Sequence, residues 1–134
     1  MKIICILICT LLITGISSCT QNKSNPSIGL FEQLRNIKPG SLVFVIPGSG
    51  CAGCISNIEE LALENVNCDS MFFLFTKLQS LKIFKLKFKK LYGAKNIIVD
   101  SLNNFVYENE LNEIYPVKYQ EKNNKIELVE YLKP

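Results

Sequence analysis

Two cysteines three positions apart, Cys51-Ala52-Gly53-Cys54, are the residues of this chain best suited to chemistry. Thiols at that spacing can close a disulfide and reopen it, provided one of them is held as a thiolate, the nucleophile of disulfide exchange. The flanking sequence offers such an environment. An apolar run, Leu42-Val43-Phe44-Val45-Ile46, reads as a strand and leads through Pro47-Gly48-Ser49-Gly50 into the pair; an amphipathic stretch over 55–64 follows it. A dithiol at the start of a helix sits beside unpaired backbone N–H groups and the positive end of the helix dipole, and both favour a thiolate.

The start of the chain bears on the compartment. Met1-Lys2 is basic, residues 3–16 are apolar but short for a membrane-spanning helix, and the run ends in Ile16-Ser17-Ser18-Cys19. An aliphatic residue, two small residues and a cysteine resemble the cleavage box of a bacterial lipoprotein signal peptide. The resemblance implies removal of residues 1–18 and a lipid on Cys19. The polar stretch 20–27 then reads as a tether and residues 28–134 as one domain. The expected location is the bacterial cell envelope, anchored to the membrane and facing the periplasm.

Six cysteines are encoded. Cys5 and Cys9 fall in the expected signal and Cys19 in its box, which leaves Cys51, Cys54 and Cys68. An odd number does not make a fully paired scaffold; one close pair and a spare thiol suit a redox module. The formal net charge of +3 drops by one with Lys2 and is too small to argue for nucleic acid. The chain has no His, which excludes a Cys/His zinc site, a Cys-x-x-Cys-His haem attachment and any Ser/His/Asp set. No cofactor is implied. A soft-metal site of Cys51, Cys54 and Cys68 is the remaining metal alternative; otherwise Cys68 is a small buried hydrophobe or a spare thiol.

Periodicity gives the elements that must hold the pair. A short helix is expected over 28–36, with Leu30, Phe31, Leu34 and Ile37 on one face, then strands over 41–46 and 71–76 around a helix over 51–65. On that helix Glu59, Glu60 and Glu64 are expected to face outward. Residues 80–93 alternate like a strand at Phe84, Leu86 and Phe88 but carry a helical face of Leu81, Phe84, Phe88 and Leu91; length and the stop at Gly93 favour helix. A third strand is expected over 96–100, a weakly helical or irregular stretch over 101–113, and strands over 116–120 and 125–129 joined by a turn at 121–124. The order is βαβαβ followed by a β-hairpin, an α/β fold whose parallel strands gain an antiparallel edge.

The strand, glycine turn, Cys51-x-x-Cys54 and helix, with Tyr115-Pro116 ahead of the last hairpin, resemble the thioredoxin superfamily. The closest likeness is to membrane-tethered thiol–disulfide oxidoreductases of bacterial envelopes, over residues 28–130. The resemblance implies a thioredoxin-like mixed sheet whose C-terminal helix is missing or cut to 131–134. It implies Cys51 as attacking thiol and Cys54 as resolving thiol. It implies a cis-proline at Pro116 which, with Tyr115, shapes a groove for substrate. Partners would be protein thiols or disulfides of the envelope and a membrane redox partner. The aromatic residue usual before the first Cys is replaced by Ser49-Gly50, the inter-cysteine pair is Ala52-Gly53, and the strand 42–46 carries no carboxylate to move the proton of Cys54.

Two functional classes follow: an oxidoreductase, or a non-catalytic thioredoxin-like binding module braced by a structural disulfide. Lys82, Lys85, Lys87, Lys89 and Lys90 make either the solvated face of a helix or a contact for anionic lipid headgroups.

Overall fold

Strand β1, Leu42–Pro47, is apolar on both faces because it lies at the middle of the sheet, between a parallel and an antiparallel neighbour. The computed structural model describes residues 33, 34, 37–108 and 110–134. The expected signal 1–18, Cys19, the tether 20–27 and most of the helix expected over 28–36 lie outside the described residues. After β1 come α1 (Ala52–Glu64), β2 (Met71–Thr76), α2 (Leu81–Lys87), β3 (Ile97–Val99), a 3-10 turn (Glu110–Asn112), β4 (Val117–Lys122) and β5 (Lys125–Tyr131). The five strands form one mixed sheet in the order β3-β2-β1-β4-β5, with β1, β2 and β3 parallel and β4 and β5 antiparallel. The expected order of strands and helices, a mixed α/β fold, is what the chain forms.

Successive strand residues point to opposite faces, and the two faces have separate cores. Phe44, Ile46, Phe73 and Phe75 meet α1 through Ala62 and α2 through Phe84, with Phe88 and Leu91 just beyond it. Both helices lie on this face because the sheet grows one way, β1 to β2 to β3, and right-handed crossovers then fall on one side. On the other face Val43, Val45, Leu74, Val117 and Tyr119 are covered by Leu34 and by Phe105 and Tyr107 from the connection between β3 and β4. Phe105 meets Tyr107 edge-on at 5.0 Å between ring centroids. That connection is fixed by Asp100, whose carboxylate accepts from Thr76 Oγ1 at 2.7 Å and from the N–H groups of Asn104 and Phe105 at 2.9 Å each. Residues 132–134 form no helix.

The helix expected over 80–93 is shorter. Phe88 closes α2 by donating its N–H to the Phe84 carbonyl, and turns carry the chain through Leu91 to Ala94. They bring Ile97 back beside Phe73, which a helix continued to Gly93 would overshoot. Asn96 anchors the return. It is fully buried; its amide donates to the carbonyls of Asn65 at 2.8 Å and Met71 at 2.9 Å, and its oxygen accepts from the Asn67 N–H at 2.8 Å. The final turn is also tighter than expected. Only Asn123 and Asn124 form it, with φ of 53° and 62°, a left-handed pair suited to a two-residue hairpin. Glu121 therefore belongs to β4, buried, where its carboxylate accepts from the N–H groups of Gly40 and Asn124.

Candidate functional site: a cysteine pair at the head of a helix

The cysteine pair sits where β1 ends. Gly48 finishes the strand by donating its N–H to the Thr76 carbonyl at 2.8 Å, and three residues later Cys51 is the N-cap of α1. Its carbonyl accepts from the Ile55 N–H at 2.9 Å, the first turn of the helix, while its side chain makes no capping hydrogen bond. Cys51 and Cys54 are joined by a disulfide, with Cα atoms 5.4 Å apart. Cys51 is half-buried, Cys54 is buried, and Ala52 and Gly53 between them are exposed. Cys51 is thus the more accessible residue of the two. Neither Asp nor Glu occurs in the first turn of α1, so no side chain there offsets the field of the helix end at the Cys51 sulfur.

A second segment closes on the pair. The Cys51 N–H donates to the Ile114 carbonyl at 2.9 Å. The approach needs Gly50: its φ is +140°, and a Cβ there would lie 2.7 Å from Ile114 Cα. The end of the chain completes the surroundings. Leu132 and Lys133 line a shallow cleft of about 430 Å³ with Cys51, Cys54, Asn57 and Ile58. The Leu132 N–H donates to the Pro116 carbonyl at 2.8 Å, and Lys133 Nζ lies 5.5 Å from the centre of the Tyr115 ring.

The expected groove residues Tyr115 and Pro116 follow Ile114 in the chain, and neither lines the cleft with the cysteines. Pro116 is fully buried and the Tyr115–Pro116 bond is trans, which corrects the expectation of a cis-proline. The two isomers of an X–Pro bond differ intrinsically by only about 0.5–1 kcal/mol, so the surroundings choose between them. Here the Tyr115 N–H is held by the Asn112 carbonyl at 3.0 Å and the Pro116 carbonyl by Leu132. Tyr115 is half-buried.

Ile114, Leu132 and Lys133 escape a sequence reading. They carry no motif and join the site only because β4 lies beside β1 and β5 beside β4. Cys68 is not brought to the pair. It follows the far end of α1, a helix of 13 residues or about 20 Å. It is a free, half-exposed thiol held below the usual thiol range by the Ser70 hydroxyl and the backbone N–H groups of Ser70 and Met71. Among the described residues, no group of three or more His, Cys, Asp or Glu side chains could hold a metal ion. Glu59, expected to face outward, is half-buried and bonded through both oxygens to Lys87 Nζ, at 2.9 and 2.8 Å.

Comparison with protein-family models, with curated proteins and with solved structures gives no match.

Proposed function

We propose that this chain is a thioredoxin-like thiol–disulfide oxidoreductase, held at a bacterial membrane through a lipid on Cys19 and acting on protein thiols or disulfides of the envelope. The observation that carries the reading is the Cys51–Cys54 disulfide at the N-terminus of α1, with Cys51 half-buried and Cys54 buried. The central place of β1 and the approach of Ile114, two residues before Pro116, support the thioredoxin-like assignment.

In the reducing direction the Cys51 thiolate attacks one sulfur of a substrate disulfide. A sulfur–sulfur bond forms between Cys51 and that sulfur, the substrate bond breaks, and the other substrate sulfur leaves as thiolate, taking a proton from solvent. Cys54, deprotonated, then attacks Cys51. The mixed disulfide breaks, the substrate gains two electrons in all, and the pair ends oxidised. A dithiol partner at the membrane resets the pair by the same exchange in reverse. Once the pair is reduced, the positive end of the helix favours the attacking sulfur as the nucleophile.

The membrane reading rests on Ile16-Ser17-Ser18-Cys19. No helix among the described residues is long and apolar enough to cross a membrane.

One observation favours a second reading. Pro116 is trans where the resemblance implied cis, so the disulfide can serve as a brace in a binding module. Trapping separates the two. In cells carrying Cys54→Ser, mixed disulfides with envelope proteins should accumulate, because attack survives and resolution does not; Cys51→Ser should trap far fewer. Trapping by neither variant, with a native pair that resists mild reduction, would favour the brace.

A further inference from the structure

The surface of α2 and the turn after it has an unusual composition. Leu86 is 74% exposed, Ile83 62% and Tyr92 45%. Residues 80–95 include six lysines and not one Asp or Glu. Two of the six are used by the fold: Lys87 bonds Glu59, and Lys95 bonds Asp69. Lys82, Lys85, Lys89 and Lys90 are exposed, and none of them pairs with a carboxylate among the described residues. Leu81, Leu86 and Tyr92 share an open cleft of about 590 Å³ with Lys82, Lys85 and Lys89, and Lys85 Nζ lies 4.5 Å from the centre of the Tyr92 ring.

Apolar side chains rimmed by unpaired cations match a surface with an oily interior and anionic rim. Lysine stems lie along apolar material while their ammonium groups stay at the polar boundary, and tyrosine prefers the same boundary. We propose that this surface docks on an anionic lipid bilayer. The inference rests on the membrane attachment proposed above, not on the dithiol chemistry. Leu34 packs on the other face of the sheet. The fifteen residue steps from Cys19 to Leu34, however, span up to about 50 Å when extended, enough to pass around a small domain. Docking would also set the cysteine pair near the lipid. Gly48, three residues before Cys51, packs so closely on the Lys77–Leu78 backbone that a Cβ would lie 3.1 Å from Leu78 Cα. The loop holding the pair therefore lies beside the entry to α2, within reach of a redox partner embedded in the membrane.

The chain contains no Trp, so one introduced indole reports alone. Leu86→Trp probes the surface, and Val129→Trp, at an exposed position on β5, is the control. The full chain is reconstituted into vesicles of phosphatidylcholine with or without phosphatidylglycerol. The Leu86→Trp indole should shift to the blue and be quenched by brominated acyl chains only in the anionic vesicles, while the Val129→Trp indole stays water-exposed in both. Added salt should reverse the shift, and replacing Lys82, Lys85, Lys89 and Lys90 with Gln should weaken docking about fivefold per lysine. Equal emission in both vesicle types would overturn the proposal, as would a shift that appears only when an acidic protein or a nucleic acid is added. Trapping by Cys54→Ser in detergent does not depend on either result, so the two readings fail separately.

Discussion

Cys51 and Ile114, 63 positions apart in sequence, are joined by a backbone hydrogen bond of 2.9 Å from the cysteine N–H to the isoleucine carbonyl. An N-cap residue has no helical partner for its N–H; here the connection into β4 supplies one. The bond ties the turn that carries the cysteines to the segment ending in Tyr115-Pro116. The site is thus held by β1, by α1 and by a strand that enters the sheet some 70 residues later.

The contact depends on Gly50, which gives the first prediction. An alanine there would have to hold φ near +140° with its methyl overlapping the Ile114 backbone. Backbone strain of about 1–3 kcal/mol and overpacking of similar size are expected. Gly50→Ala should lower the melting temperature by about 10 °C or more for a domain of this size, and reduced Cys51 should alkylate at an altered rate. Gly53→Ala is the matched control. Nothing lies within 4 Å of its added methyl and the position is helical, so it should be neutral or stabilise by about 0.5–1 kcal/mol. Equal effects from the two substitutions would remove the special role given to Gly50.

A second prediction concerns Asn96. Replacing it with Ala strands the Asn67 N–H and the carbonyls of Asn65 and Met71, at an expected cost of about 2–4 kcal/mol by denaturant melts. Asn96→Asp keeps the acceptor for Asn67 but turns a carboxylate oxygen toward two carbonyls. Ionisation is then disfavoured in the folded state, so the folded pKa should rise above the unfolded value of about 3.9. The penalty of Asp should therefore be smallest below that value and grow as pH rises through the window between the two pKa values. An Asp penalty that is flat with pH, after subtraction of the Ala variant, would contradict the geometry.

Lipidation is the third. Cys19→Ala should abolish metabolic fatty-acid labelling and leave the chain unprocessed or released from the membrane fraction. Labelling that persists in this variant would remove the lipoprotein reading and leave the location of the domain open.

The elements easiest to read in the sequence were those with one dominant signal. β1 and β2 are unbroken apolar runs, and α1 follows the pair with Ile55, Ile58, Leu61 and Ala62 at helical spacing. Tertiary demands decided what was read less well. α2 stops at Lys87 because β3 must return beside β2, and the signal for that return is a buried asparagine, a residue type that usually reads as loop. The hairpin tightened because Asn123 and Asn124 both accept left-handed backbone, which left Glu121 free to enter the sheet as a buried acceptor for two N–H groups. At the site, the pair itself was legible. The isomer at Pro116 was not, because so small an intrinsic difference is settled by neighbours distant in sequence. Ile114 and Leu132 act through backbone groups, which no residue type announces.

Cys68 supplies the last prediction and an internal standard for the pair. In the oxidised protein Cys51 and Cys54 are blocked, whereas Cys68 is free and half-exposed. Its thiol is held below its ordinary value, first by the Ser70 hydroxyl, then by the Ser70 and Met71 N–H groups, against partial desolvation and the Asp69 charge. Only the thiolate alkylates. Iodoacetamide labelling at Cys68, followed by peptide mapping, should therefore switch on at a lower pH in the native chain than in urea, where those hydrogen bonds are lost. Ser70→Ala should move the native midpoint upward. Labelling at Cys51 should appear only after reduction and then outpace Cys68 near neutral pH, since a helix N-terminus adds to its thiolate what a loop cannot. If reduced Cys51 labels no faster than Cys68, the helix end is not activating it, and the disulfide is better described as a brace.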